Sequence, residues 1–80
     1  MTEQLKFYCI GDEDTARGLR LAGVEGRVVA GAAEAAAALD DASLRVDCGV
    51  IIITKSVAGL ARAKVNEIRL ERARPLIVEI

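Results

Sequence analysis

Short apolar runs alternate with segments of helical character along this chain of 80 residues, and that alternation constrains the fold more than any other feature. The predicted strands are residues 5–10, 27–30, 46–54 and 76–80. The predicted helices are residues 13–21, 32–39 and 56–73. Alternation with short connections favours a parallel sheet joined by right-handed crossovers. We therefore predict one three-layer α/β/α domain over residues 1–80, with four parallel strands in the flavodoxin- or receiver-like order 2-1-3-4.

Several details of these elements follow from residue type. The first strand is apolar enough to be buried on both faces. Gly18 lies inside the first helix, where glycine costs about 1 kcal/mol relative to alanine, so we expect another element to pack closely against it. The third helix is expected to bury one face at helical spacing. That face consists of Val57, Leu60, Ala61, Val65 and Ile68.

Composition excludes several classes of site. The chain has no histidine, which removes the side chain best suited to proton transfer near neutral pH, and two separated cysteines cannot close a zinc site. We predict no catalytic residues, no metal and no cofactor. No run approaches the roughly 20 apolar residues that cross a membrane. Cys9 and Cys48 are predicted to be buried, reduced thiols of a cytoplasmic protein, with a disulfide between neighbouring strands as the alternative.

The charge is unevenly distributed, although the net charge is only −1. Residues 1–53 carry five Lys or Arg against nine Asp or Glu, whereas residues 54–75 carry six against two. This asymmetry either steers a charged partner or reflects a solvated helix face rich in arginine. Nucleic acid is not predicted as a partner, because the chain is acidic overall and has no aromatic platform.

The turn after the first strand, Gly11-Asp12-Glu13-Asp14, is acidic. Three carboxylates there repel phosphate and suit the start of a helix, where they cap it and compensate its dipole. Acidic residues at this position also occur in phospho-receiver domains, which need an aspartate at the end of the third strand. Thr54 stands there, and Asp47 lies at the opposite end of the strand. A stand-alone receiver-like or ligand-binding signalling domain remains the alternative function.

Two motifs carry a family resemblance over the whole chain. The segments Ile10-Gly11-Asp12-Glu13-Asp14-Thr15 and Gly18-Leu19-Arg20-Leu21-Ala22-Gly23-Val24 resemble the F subunit of the V-type and A-type rotary ATP synthases. The chain departs from that pattern at Leu19, where the family commonly has phenylalanine. The resemblance implies a non-catalytic central-stalk subunit that binds the helical hairpin of the D subunit and helps couple ATP turnover to proton or sodium transport. Other central-stalk or head subunits are implied as further partners.

The resemblance also implies a protein held at the membrane only through its complex, without inserting into it. The family fold usually continues into a C-terminal helix, so we expect either a shortened form or a sequence cut to the rigid domain. For the partner contact we consider the acidic turn, the basic face of the third helix and the exposed last strand. The candidate residues are Asp12, Asp14, Arg69, Arg72, Leu76, Val78 and Ile80.

Overall fold

A computed structural model describes residues 4–80 of the chain. Its elements, in chain order, are β1 (Lys6–Gly11), α1 (Glu13–Leu21), β2 (Glu25–Val28), α2 (Ala32–Ser43), β3 (Cys48–Ile53), α3 (Lys55–Leu60), α4 (Arg62–Glu71) and β4 (Leu76–Glu79). The strands pair in parallel in the order β2-β1-β3-β4. The predicted α/β fold and strand order are therefore confirmed.

Local chemistry sets both ends of α1. At the start, the Oδ1 atom of Asp12 accepts a hydrogen bond from the backbone N–H of Thr15 at 2.8 Å. At the end, Gly23 has a φ of 92°, in the left-handed region that favours glycine. The N–H groups of Gly23 and Val24 donate to the last turn of the helix, at 2.9 Å each. The predicted cap and the predicted bounds of this helix, residues 13–21, are both confirmed.

The second strand lies two residues earlier than predicted. β2 covers Glu25–Val28, whereas the sequence indicated 27–30. The tight turn around Gly23 reverses the chain at once, so pairing with β1 already begins at Glu25, opposite Tyr8. Strand propensity alone favoured the more apolar residues that follow.

The alanine-rich helix α2 is longer than predicted. It buries Ala35, Ala38, Leu39 and Ala42 and continues to Ser43. Asp40 and Asp41 oppose the helix dipole near its end. They form ion pairs, at 3.0 Å each, with Lys64 of α4 and Arg27 of β2. Contacts that are distant in sequence thus hold the last turn of α2.

The prediction of a single third helix over residues 56–73 is wrong in one respect, because the structure has two helices in this range. The chain breaks at Ala61, which has φ −127° and ψ 39°. Gly59, near the end of α3, weakens the helix locally. The break rotates the inward face, so Leu60 is 49% exposed while Val57, Ala61, Val65 and Ile68 are buried.

The two faces of the sheet are covered unequally. Helices α2, α3 and α4 contact one another and lie over one face, which holds the main core. Its largest fully buried side chains are Ile10, Leu39, Ile51, Ile53 and Val65. On the opposite face, α1 contacts β1 and β2.

The prediction that the first strand is buried on both faces is wrong, because helices cover the two faces of the sheet unequally. Cys9 is fully buried, but Phe7, two residues earlier on the same face, is 54% exposed because no helix lies over it. Between residues 4 and 80, no helix is both long and apolar enough to cross a membrane.

Candidate partner-binding surface

The acidic turn lies at the carboxyl end of the sheet, where parallel α/β sheets place their ligands. Its three carboxylates lie at the N-cap and in the first turn of α1. The hydrogen bond from Thr15 holds the pKa of Asp12 below its ordinary value, and Asp14 is exposed in the first turn of α1. Among the described residues, no group of three or more His, Cys, Asp or Glu side chains is placed to hold a metal ion.

Thr54 occupies the position where a receiver domain requires its aspartate, directly after β3. Its hydroxyl oxygen caps α3 by accepting from the N–H of Val57 at 3.2 Å. Asp47 lies at the other end of β3, within 3.7 Å of Lys6 and of Arg45. Two of the polar side chains at the carboxyl end of the sheet, Asp12 and Thr54, therefore serve as helix caps.

Glu79 of β4 is held by two arginines of α4. Arg62 donates both guanidinium N–H groups to its carboxylate, at 2.6 and 2.8 Å, and Arg69 donates a third at 3.1 Å. These charge-assisted bonds lower the pKa of Glu79 to about 2. Arg69 also donates to the backbone oxygen of Ile77 at 2.9 Å. Arg69, which the sequence suggested for the partner contact, thus ties α4 to β4.

Arg72, the other arginine considered for the partner contact, also makes a contact within the chain. Its guanidinium lies 3.4 Å from the backbone oxygen of Ser43, at the end of α2. A cation there compensates the negative end of the helix dipole. The structure therefore places both arginines on the helix side of the sheet, bound to neighbouring elements.

An apolar surface lies on the opposite side, over β3 and β4. The strand register aligns Phe7 with Val50 and Leu76, and Cys9 with Ile52 and Val78. The N–H of Ile80 bonds to the oxygen of Ile53 at 2.9 Å and continues this alternation by one residue. We call six of these residues the open half-face: Phe7, Val50, Ile52, Leu76, Val78 and Ile80.

The large side chains of the open half-face are exposed to solvent. Leu76 is 62% exposed, Ile80 53% and Val78 46%, while Val50 and Ile52 are partly buried. Contiguous apolar surface of this kind commonly marks an interaction site. Leu76, Val78 and Ile80 were predicted as partner residues from the last strand, and the structure brings these three together on one surface.

Three members of the open half-face, Phe7, Val50 and Ile52, were missed by the sequence analysis. The predicted strand order contained the signal that would have found them. In the order 2-1-3-4, right-handed crossovers place the first helix on one face and the later ones on the other. That topology leaves β3 and β4 without a helix on the α1 side. Alternation along each strand then gives the exposed residues.

The two thiols lie on different sides of the molecule. Cys48 belongs to the main core, whereas Cys9 packs beneath α1 beside Gly26. Both are free and buried. Burial raises the pKa of each thiol, and nearby Asp12 raises that of Cys9 further. These groups are held in the protonated, unreactive form.

Comparison with known proteins decides the family. The family model described as ATP synthase (F/14-kDa) subunit matches residues 7–80. This chain belongs to that family. Among solved structures, it is similar to the crystal structure of the F subunit of the V-type ATP synthase from Archaeoglobus fulgidus, with a TM-score of 0.81 and 26% identity. The match covers 96% of this chain and 98% of that one. A search of curated proteins found no match.

The family gives the described surfaces a context. The resemblance based on the Gly11–Thr15 turn and the Gly18–Val24 segment is confirmed. Members are subunits of a rotary ATPase, so an exposed apolar surface on such a chain has neighbouring subunits available to cover it.

Proposed function

We propose that this chain is a non-catalytic component of the central stalk of a V/A-type rotary ATPase. There it binds the helical hairpin of the D subunit and helps couple ATP turnover to ion transport. The observation that carries the proposal is the family match, which extends from residue 7 to residue 80. The chain is held at the membrane through the complex, on its cytoplasmic side.

The surfaces of the chain agree with a role in assembly. The carboxylate of Asp12 and the hydroxyl of Thr54 serve as helix caps. Arg62 and Arg69 of α4 bind Glu79, and Arg69 and Arg72 each contact a backbone oxygen. The open half-face, by contrast, exposes large apolar side chains that a partner would bury with a gain in free energy.

Co-elution tests the partner. The purified hairpin of the D subunit and this chain are mixed at equal concentration and separated by size exclusion, with a helical hairpin of unrelated sequence as the control. We expect a 1:1 complex with the D-subunit hairpin and none with the control. Independent elution of the two proteins would contradict the proposal.

Transport measurements test the coupling role. In a reconstituted ATPase assembled without this chain, we expect less ion transport per ATP hydrolysed, restored when the chain is added back. An unchanged ratio would show that the chain binds the stalk without contributing to coupling.

The receiver-like alternative makes a different prediction, which rests on the acidic turn. It requires saturable Mg2+ binding that shifts the amide NMR signals of Asp12 and Asp14. We expect only weak, non-saturating shifts, because the Asp12 carboxylate already accepts a bond from Thr15 and an aspartate is missing at Thr54. Saturable shifts at both aspartates would favour the alternative.

A further inference from the structure

The helix layer on the α1 side has room for one more helix. α1 contacts β1 and β2, which leaves β3 and β4 uncovered. Two strands span about 10 Å, which is the diameter of one helix. The five residues from Leu76 to Ile80 span roughly 16 Å, the length of about 11 helical residues. The uncovered area thus matches about three turns of a single helix.

The side of α1 that borders this space is uncharged. Ala16 faces the sheet, and Arg20 lines a surface depression with Glu25 and Gly26, so Arg20 lies towards β2. At 100° per residue, the positions of Ala16 and Arg20 determine which residues lie on the flank of α1 that points away from β2. This flank carries Thr15, Leu19 and Ala22. Together with the open half-face, this flank forms a trough with apolar and small uncharged walls.

Gly18 lies on the outer, exposed surface of α1, because two residues at about 100° each place it about 200° from the sheet-facing Ala16. The sequence predicted close packing of another element there, and this is wrong for residues 4–80, since a Cβ on Gly18 would meet no atom within 4 Å. Gly26 differs, because a Cβ there would lie 2.7 Å from the backbone oxygen of Cys9. Gly18 therefore weakens α1 without packing against another described element.

We propose that the open half-face binds one helix of the partner protein, which lies in the trough beside α1. This rests on the proposed function, with the D-subunit hairpin as the source of the helix. The bound helix has apolar residues at i, i+3, i+4 and i+7 and no charge along that stripe, because the trough offers no ionic partner. Beyond the end of this stripe, a lysine or arginine on the turn next to Asp12 complements the acidic start of α1, which lies outside the trough.

A second copy of this chain fits the trough poorly. α1 projects beside the open half-face, and its outer surface carries Asp14 and the Glu13–Arg17 ion pair. A face-to-face pair would press these charges against the uncharged trough of the other copy. One apolar helix brings no such charges against the trough.

Binding of the D-subunit hairpin, measured by calorimetry, tests the proposal. The Leu76→Thr/Val78→Thr double variant keeps β-forming side chains but places hydroxyl groups in the trough, so we expect at least a tenfold rise in Kd. The matched control is Leu44→Thr/Val46→Thr, which changes two exposed apolar residues outside the open half-face. We expect its Kd to stay within twofold of the wild-type value.

A second pair of variants keeps the test valid if the first double variant fails to fold. Ala22→Leu places bulk on the flank of α1 that borders the trough, directly after the end of the helix, so it should weaken binding by at least fivefold while the domain stays folded. Arg17→Leu also introduces a leucine on α1, but on the flank towards β2, and should leave Kd within twofold. Circular dichroism confirms the folded state of each variant.

The outcomes separate this inference from the proposed function. If wild-type chain does not bind the hairpin, the proposed function fails and the inference falls with it. If wild type binds and both trough variants match their controls, the inference alone is overturned. Sedimentation of the chain by itself is the third measurement. A wild-type dimer that the Leu76→Thr/Val78→Thr variant dissociates would assign the surface to a second copy and overturn the inference.

Discussion

The face of the sheet beneath α2, α3 and α4 is fully covered, whereas the face beneath α1 is covered over two strands only. Both faces are built by the same four strands, and both are apolar. The covered face holds Ile10, Ile51 and Ile53 at zero exposure, while Leu76 and Val78 on the other face remain in contact with solvent. The comparison separates apolar residues that stabilise the domain from apolar residues that are available to a partner.

Truncation of one leucine on each face gives the largest contrast. Leu39→Ala opens a cavity in the covered face and should lower the free energy of unfolding by about 2–5 kcal/mol. Leu76→Ala removes a mostly exposed side chain and should cost less than about 1 kcal/mol. Urea denaturation followed by circular dichroism measures both. Equal losses would mean that the open half-face is part of the folded core, and the comparison would fail.

Two glycine-to-alanine substitutions sharpen the contrast within the α1 side. Gly26→Ala pushes a methyl group against the backbone oxygen of Cys9 at 2.7 Å and should destabilise the domain by about 1–3 kcal/mol. Gly18→Ala adds the same methyl group in open space and should stabilise it by about 0.5–1 kcal/mol. Thermal unfolding gives both signs. A loss of stability at Gly18 would show that the space around it is occupied rather than open.

Two substitutions in the acidic turn test how α1 is held over its half of the sheet. Asp12→Ala removes the cap and should cost about 0.5–2 kcal/mol. Asp14→Ala, the control in the same turn, removes only a favourable charge near the helix dipole and should cost about 0.3–1 kcal/mol. Chemical denaturation measures the pair. A larger loss at Asp14 would mean that capping is not what fixes the start of α1.

The pH dependence of stability tests the Glu79 cluster that joins α4 to β4. The folded-state pKa of Glu79, about 2, lies below the ordinary value of 4.5. The stabilisation is therefore complete above about pH 4.5 and is lost as the pH falls towards 2. Glu79→Gln should show a shallower loss of stability over this range than wild type, whereas Glu71→Gln should follow wild type. Matching slopes for Glu79→Gln and wild type would exclude this cluster as the source.

Local signals explain which elements were predictable. The cap at Asp12 and the stop at Gly23 involve atoms within one or two turns, so residue type was enough to place α1. The β-branched run of β3 likewise marks a central strand by itself. Alternation of these elements then led to the parallel sheet and its order, and the Gly11–Thr15 turn with the Gly18–Val24 segment led to the family.

Contacts between distant residues decided the rest. The register of β2 depends on its pairing with β1, and the break at Ala61 depends on how α3 and α4 meet the core. The role of Arg69 could not be predicted from the sequence either, because its partners, Glu79 and the backbone oxygen of Ile77, belong to β4 while Arg69 belongs to α4.

The sequence by itself determined the alternation of strands and helices, the strand order and the family, because these depend on neighbours along the chain and on the number of crossovers. Only the tertiary structure decided which apolar side chains stay exposed. Leu60 and Ile68 have similar character in sequence, yet the break at Ala61 turns the first outwards and buries the second. Val78 stays exposed while Ile77 beside it is buried, because α4 lies against the face of β4 that carries Ile77 and no helix lies over the face that carries Val78.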